Sequence, residues 1–184
     1  MAITESRALP PGATAPDFSL PDTRTRTLVD REDFNGHPLL VVFMCNHCPF
    51  VVHLLDSLAT RTREFSKQGV STVAISANDI QSYPQDGPEK MAELANQYDF
   101  DFPYLFDETQ QVAKAFAAVC TPEFYLFDEN HALYYHGQWD STRPGQGVAS
   151  GDDVAAAVTS LLAEQPAPTE VQSAVGCSIK WAHG

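Results

Sequence analysis

Cys45-Asn46-His47-Cys48 places two thiols at C-x-x-C spacing, directly after the apolar run Leu39-Leu40-Val41-Val42-Phe43-Met44 and ahead of a helical pattern. Two chemistries use such a pair. A strand that stops on the cysteines and a helix that follows hold the sulfurs close enough for a small disulfide ring, and the positive end of the helix dipole favours a thiolate at the first one. The same spacing is also half of a zinc site. No second C-x-x-C or C-x-x-H follows, so a closed zinc site has to gather Cys120, Cys177 or a histidine from far along the chain. His47, between the cysteines, is placed to stabilise a neighbouring thiolate as imidazolium and to make a disulfide more oxidising.

The elements that must position these residues follow from the patterning. Leu39 to Met44 is a continuous apolar run of strand length, the mark of a strand covered on both faces in mid-sheet. Val51, Val52, Leu54, Leu55, Leu58 and Phe65 recur at helical spacing with Gly69 as the stop, which predicts a helix from Pro49 to Gln68. A second central strand is expected over Val70 to Ala77, a long loop over Asn78 to Pro88, and a helix near Glu89 to Tyr98. Phe102 to Phe106 reads as a third strand, leading through Asp107 into a helix with apolar Val112, Ala113, Phe116 and Ala117. Glu123 to Asp128, the turn Asp128-Glu129-Asn130-His131 and Ala132 to Trp139 make an antiparallel hairpin.

Gly151-Asp152-Asp153 caps a final helix through Glu164, and Gln165-Pro166-Ala167-Pro168-Thr169 ends it. Near the start, a Pro/Gly-rich lead and a short strand at Phe18-Ser19-Leu20 precede a polar turn region from Pro21 to Arg26. The expected class is α/β, a central mixed sheet with a parallel core, an antiparallel edge hairpin and helices on both faces. One domain is expected over 1–164, with 165–184 as a C-terminal tail carrying Cys177.

The chain has 184 residues, four cysteines and a net charge of -13. That length buries enough surface to fold without stapling, and the cysteines lack the dense spacing of a small secreted disulfide protein. Chemistry therefore accounts for them better than architecture. The acidic balance disfavours nucleic acid and anionic membrane surfaces as partners. The N-terminus shows no apolar segment of signal-peptide length and no stretch approaches membrane-spanning length, so the expected location is the cytoplasm.

From Gly12 to Glu164 the chain resembles the thioredoxin-like superfamily, in its branch of redoxin and peroxiredoxin-like (AhpC/TSA-like) proteins. The resemblance rests on Gly12-Ala13-Thr14-Ala15-Pro16-Asp17-Phe18-Ser19-Leu20-Pro21-Asp22, on the strand, C-x-x-C and helix unit, and on Thr121-Pro122 ahead of the Phe124 to Asp128 strand. A narrower likeness, to peroxiredoxin-like proteins of unsettled function, rests on Cys45-Asn46-His47-Cys48-Pro49-Phe50-Val51 and the tail Gly176-Cys177-Ser178-Ile179-Lys180-Trp181. The resemblance implies a thioredoxin-like fold in which Pro122 is a cis proline against the dithiol, Cys45 is the exposed nucleophile and Cys48 is the resolving partner. His47 and Thr121 line the site. Cys120, two residues before Pro122, then falls near the pair as either a third thiol or a small buried hydrophobe. Cys177, on a flexible tail, is a candidate to attack a sulfenic acid or mixed disulfide at the helix start. His53 reads as a satisfied helix residue and Asp140 with Arg143 as a local loop pair. His37, His131, His136 and His183 have no argued partner.

The likeness has departures. Peroxiredoxins carry a proline and a threonine seven and three residues before the peroxidatic cysteine. With Cys48 in that role, Val41 and Cys45 stand there. Thr121-Pro122 occupies the place of the arginine expected before the strand at Phe124, and Met44, Asn46 and His47 replace the Trp, Gly and Pro of the thioredoxin W-C-G-P-C. The reading is a thiol-disulfide oxidoreductase using a Cys45-Cys48 dithiol and disulfide couple. It acts on a protein or small-molecule disulfide, is recharged by a cellular dithiol reductant, and needs neither an organic cofactor nor an assigned metal ligand. A thiol-dependent peroxidase with Cys45 or Cys48 peroxidatic is the enzymatic alternative. A module holding zinc or a thiophilic metal through Cys45, Cys48 and His47, Cys120 or Cys177 is the non-enzymatic one.

Overall fold

Every side chain from Leu39 to Phe43 is buried, because this strand lies at the centre of a sheet whose two faces are both covered. In this computed structural model, which describes residues 3–7 and 9–182, the elements follow in chain order. They are β1 (Ile3–Glu5), β2 (Ser19–Pro21), β3 (Leu28–Asp30), β4 (Leu39–Phe43), α1 (Pro49–Lys67), β5 (Ser71–Ser76), α2 (Pro88–Gln97), β6 (Tyr104–Phe106), α3 (Gln111–Ala115), β7 (Cys120–Thr121), β8 (Glu123–Phe127), β9 (Leu133–Gly137), α4 (Asp152–Leu162) and β10 (Val175–Ser178). Short 3-10 turns lie at Arg31–Phe34 and Pro84–Asp86.

The main sheet runs β6-β5-β4-β8-β9. β4, β5 and β6 are mutually parallel, while β8 pairs antiparallel with both β4 and β9. Successive strand residues point to opposite faces. Leu40, Val42 and Met44 therefore join Leu54, Leu55 and Leu58 of α1 and Val154 and Val158 of α4 in one core layer. Leu39, Val41 and Phe43 join Ala113, Phe116 and the lead residues Ala15 and Phe18 in the other. Each such side chain contributes on the order of 1.5–3 kcal/mol when fully buried, so the apolar run of β4 ties the two layers together. α1 ends where Gly69 takes a φ of 87°, a left-handed conformation that suits glycine.

The patterning located the five strands of the main sheet and the four α-helices to within a few residues, and it missed the four short strands β1, β3, β7 and β10. β3 pairs with β2, which makes the polar stretch after Pro21 the turn of a hairpin. The region expected as a flexible tail contains β10, held between β1 and β7 with Cys177 opposite both Ile3 and Thr121. A four-residue strand with a glycine inside shows no alternation long enough to read. α4 starts where expected, at Gly151-Asp152-Asp153, although no side chain of its own caps it. Gly151 is its N-cap at a φ of 72°, and the backbone N–H groups of Ser150 and Gly151 donate to Asp140 Oδ2 at 2.7 and 2.8 Å. Arg143 meets Asp140 at its main-chain carbonyl, 3.0 Å from Nη1. No helix among the described residues is long and apolar enough to cross a membrane.

Candidate active site

The chain leaves the sheet at the end of β4 and α1 begins at Pro49, so Cys48 is the N-cap of that helix. Proline at the first helical position costs no hydrogen bond, since that N–H has no partner within the helix. Across from the pair stands Thr121, presented by β7 and followed by a cis bond to Pro122. Its hydroxyl is 3.5 Å from Cys45 Sγ and its carbonyl oxygen 3.2 Å from Cys48 Sγ. Cys45 and Cys48 are close enough for each thiol to be the largest influence on the other's proton. The Val51 N–H donates to the Cys48 carbonyl oxygen at 2.9 Å, and this N–H together with the N–H and thiol of Cys177 acts on the Cys48 thiol. Three thiols thus meet at one point, with Cys48 in the middle.

These contacts decide where a negative charge sits. The Cys45 thiol pulls Cys48 down to about 5, against the cost of burial, with Cys177 and the Val51 N–H adding to it. The same contact keeps the proton on Cys45, and burial and the Asp86 carboxylate raise that thiol further, opposed by the Thr121 hydroxyl. The Thr121 carbonyl suits Cys48 as a thiol and repels it as a thiolate, but one carbonyl is outweighed by the converging donors. Two expectations are corrected here. The helix starts at Pro49, four residues after Cys45, with Cys48 as its N-cap, so the positive helix end serves Cys48. Cys45 is only 1% exposed, enclosed by His47, Asp86 and Thr121, and is not an exposed nucleophile in this conformation.

Asp86, fully buried on the short turn Pro84–Asp86, organises the approach to Cys45. Its Oδ1 accepts the backbone N–H groups of Asn46 and His47 at 2.9 and 3.2 Å. Its Oδ2 accepts from Asn78 Nδ2 at 2.8 Å and pairs with His47 Nδ1 at 2.6 Å. The carboxylate therefore clamps the C-x-x-C turn through backbone and side chain together. His47 Nδ1 lies 3.9 Å from Cys45 Sγ, so its primary partner is Asp86 and the thiol is secondary. The imidazole stacks on Tyr83 at 5.1 Å between centroids, and Lys180 Nζ stands 5.7 Å from the centre of the Tyr83 ring. Sequence reasoning treated residues 78–88 as a plain loop and missed Asp86, Asn78 and Tyr83. A single acidic residue in a polar loop carries no spacing signal. The ligand atoms of Cys45, His47 and Asp86 all lie within 4.8 Å of one another, a sulfur, nitrogen and oxygen set that suits zinc with an open position. That set keeps Cys45 and His47 of the expected ligands and has Asp86 in place of Cys48, Cys120 or Cys177.

Cys120 points elsewhere. Its thiol lies 3.6 Å from Glu123 Oε2 and 3.8 Å from the Ala174 carbonyl, and burial followed by the Glu123 charge pushes it up. Glu123, fully buried, also binds Tyr125 Oη at 2.8 Å and His136 Nε2 at 2.7 Å, and accepts the N–H groups of Val119 and Cys120. Burial raises Glu123, yet these donors, His136 foremost, leave it below the usual carboxylate value. His136 Nδ1 accepts the Leu9 N–H, so Nε2 carries the proton donated to Glu123. His53 bonds Thr142 Oγ1 at 2.9 Å and His131 meets Arg31 Nη1 at 2.6 Å. His183 lies outside the described residues.

A mixed sheet covered by helices, with paired cysteines at a helix start against a cis proline, defines a thioredoxin-like oxidoreductase. The AhpC/TSA family model matches residues 11–136, and the chain belongs to that family. A crystal structure of a conserved protein from Geobacillus kaustophilus superposes with a TM-score of 0.96 at 41% identity, covering 100% of this chain and 98% of that one. Among curated proteins, the thiol-disulfide oxidoreductase ResA of Geobacillus thermodenitrificans is 28% identical over 128 residues, 70% of this chain and 69% of its own length. A Mycobacterium tuberculosis protein provisionally named a peroxiredoxin is 27% identical over 124 residues, 67% of this chain and 73% of its own.

Proposed function

We propose that the protein is a cytoplasmic thiol-disulfide oxidoreductase whose working couple is Cys45 and Cys48. The observation that carries this reading is the placement of the two thiols at the start of α1 against one residue, Thr121, whose hydroxyl is 3.5 Å from Cys45 Sγ and whose carbonyl oxygen is 3.2 Å from Cys48 Sγ. Cys45 lies beside His47, whose side chain is 14% exposed, and is the thiol set to meet a substrate disulfide once the cover over it shifts. As Cys45 attacks, its proton passes to the neighbouring Cys48 and the substrate sulfur leaves with the electron pair. Cys48, losing that proton again at the ordinary pH of a cell, then attacks Cys45 Sγ and releases the second substrate thiolate. The oxidised pair is reduced by a dithiol partner, and the electrons need no bound organic cofactor. The narrower grouping by the Cys45-Asn46-His47-Cys48 motif and the Gly176 to Trp181 tail belongs to the same proposal.

A peroxidase reading draws support from one observation, the lowered thiol of Cys48 at a helix N-cap. Attack of that thiolate on a hydroperoxide gives a sulfenic acid and an alcohol, and Cys45 condenses with the sulfenic acid to the same disulfide with loss of water. Val41 and Cys45 in place of the proline and threonine of peroxiredoxins count against it. Equilibration in thiol-disulfide buffers, followed by alkylation and intact mass, tests the main reading in wild type, Cys45→Ser and Cys48→Ser. A reversible loss of two thiols that requires both cysteines supports it, and peroxide turnover with a dithiol reductant distinguishes the peroxidase. Stoichiometric metal retained under reducing conditions, with both thiols protected from oxidation, transfers the site to Cys45, His47 and Asp86 as ligands.

A further inference from the structure

We infer that Cys177 is a third redox residue of the site, exchanging with the Cys45-Cys48 disulfide to form a Cys48-Cys177 disulfide. The inference rests on the proposed couple and extends it. Cys48 has two thiol neighbours on different elements. Cys45 comes from the turn after β4, and Cys177 comes from β10, which lies opposite Thr121 in antiparallel register. The approach of β10 is close by construction. Any side chain at position 176 would collide with the Thr121 carbonyl, so the glycine there lets the strand lie flat on the residue preceding Pro122. Cys177 then follows as the residue that touches Cys48. The other buried thiol, Cys120, provides the contrast, since its sulfur is engaged by Glu123 and the Ala174 carbonyl.

The exchange balances without an external reagent. The Cys177 sulfur attacks Cys48 Sγ, a Cys48-Cys177 bond forms, and the Cys45-Cys48 bond breaks with its electron pair on Cys45. The proton leaving Cys177 ends on Cys45, so one thiol and one disulfide exist before and after. Burial raises Cys177, and burial with the nearby Asp86 carboxylate favours the protonated form of a released Cys45, so the proton given up by Cys177 is taken up there. The result frees Cys45 beside His47 while Cys48 and Cys177 store the oxidising equivalent.

Peptide mapping of alkylated, non-reduced protein separates this inference from the reading beneath it. The protein is oxidised with glutathione disulfide, and the pairing is mapped in wild type, Cys45→Ser and the Cys45→Ser/Cys177→Ala double variant. A Cys45-Cys48 peptide in wild type tests the couple alone. The inference expects oxidised Cys45→Ser to contain an intramolecular Cys48-Cys177 disulfide with Cys120 free. In the double variant, Cys48 should remain as the mixed disulfide with glutathione about tenfold longer or more. Circular dichroism of each variant confirms the fold. In wild type itself, part of the oxidised protein should show Cys48-Cys177 with Cys45 alkylated. A folded Cys45→Ser that keeps Cys48 glutathionylated beside a free Cys177, or pairs Cys48 with Cys120, overturns the inference while leaving a wild-type Cys45-Cys48 pair standing.

Discussion

Asp86 Oδ2 and His47 Nδ1 are 2.6 Å apart in a site where the carboxylate is fully buried and the imidazole is stacked on Tyr83. The pair joins the loop after β5 to the C-x-x-C turn, and its charge acts on Cys45. That arrangement makes a carboxylate the governor of a thiol to which it is not directly hydrogen-bonded.

Asp86→Asn should therefore do two things. Removing the negative charge lowers Cys45, because the carboxylate is one of the causes holding it up. Loosening the clamp on the Asn46 and His47 N–H groups costs about 1–3 kcal/mol of stability. Ultraviolet titration of the Cys45 thiolate and chemical denaturation of the reduced protein measure the two effects. An unchanged Cys45 titration in the variant would contradict the assigned electrostatics.

Stability of the reduced protein should depend on pH through Cys48. Its folded value, about 5, lies below the ordinary thiol value of 9.0, so its contribution is complete above about pH 9 and is lost as pH falls toward 5. Cys45 and Cys177 are raised, and their contribution, complete below 9.0, is lost at more alkaline pH. Reduced wild type should thus gain stability relative to Cys48→Ser between pH 5 and 9 and level off or decline beyond. Parallel melting curves of the two proteins across that range provide the check.

Thr121 offers Cys45 its one hydroxyl donor, at 3.5 Å, and this opposes the other influences on that thiol. Thr121→Val keeps the shape and β-branching while deleting the donor. In a Cys48→Ser background, alkylation at pH 7 followed at the Cys45 peptide should slow by about 3–10-fold. Equal rates with and without the hydroxyl would remove Thr121 from the site chemistry and leave it a structural residue.

Glu123 is another fully buried carboxylate, and its role is stability. Its depressed value means that its contribution is present above the usual 4.5 and is lost as pH falls below it. Glu123→Gln cannot accept from every donor now pointing at it, and should cost about 3 kcal/mol near neutrality. The gap between variant and wild type should narrow on acidification, and acid-unfolding curves would show whether it does.

The redox pair and its supporting strand and helix were legible because they are local. An apolar run, two cysteines and a helical period sit within one stretch, and the spacing itself brings the sulfurs together. Thr121-Pro122 was legible only through resemblance. Asp86, Asn78 and Tyr83 gave no signal, since a loop of polar residues has no period and its position over Cys45 depends on how β5 and α2 are anchored. The Glu123–His136 pair was equally silent, because it needs the β8–β9 pairing to bring the two side chains together.

The sequence by itself determined that two cysteines would stand at the junction of a buried strand and a helix, since hydrophobic period and local spacing act within one segment. Which of the two carries the charge, and that a third thiol joins them, was decided by tertiary structure. The helix starts at Pro49, Asp86 arrives from another loop, and β10 settles against Thr121. A charge in a buried site answers to every donor and acceptor around it, and those come together only when distant segments pack.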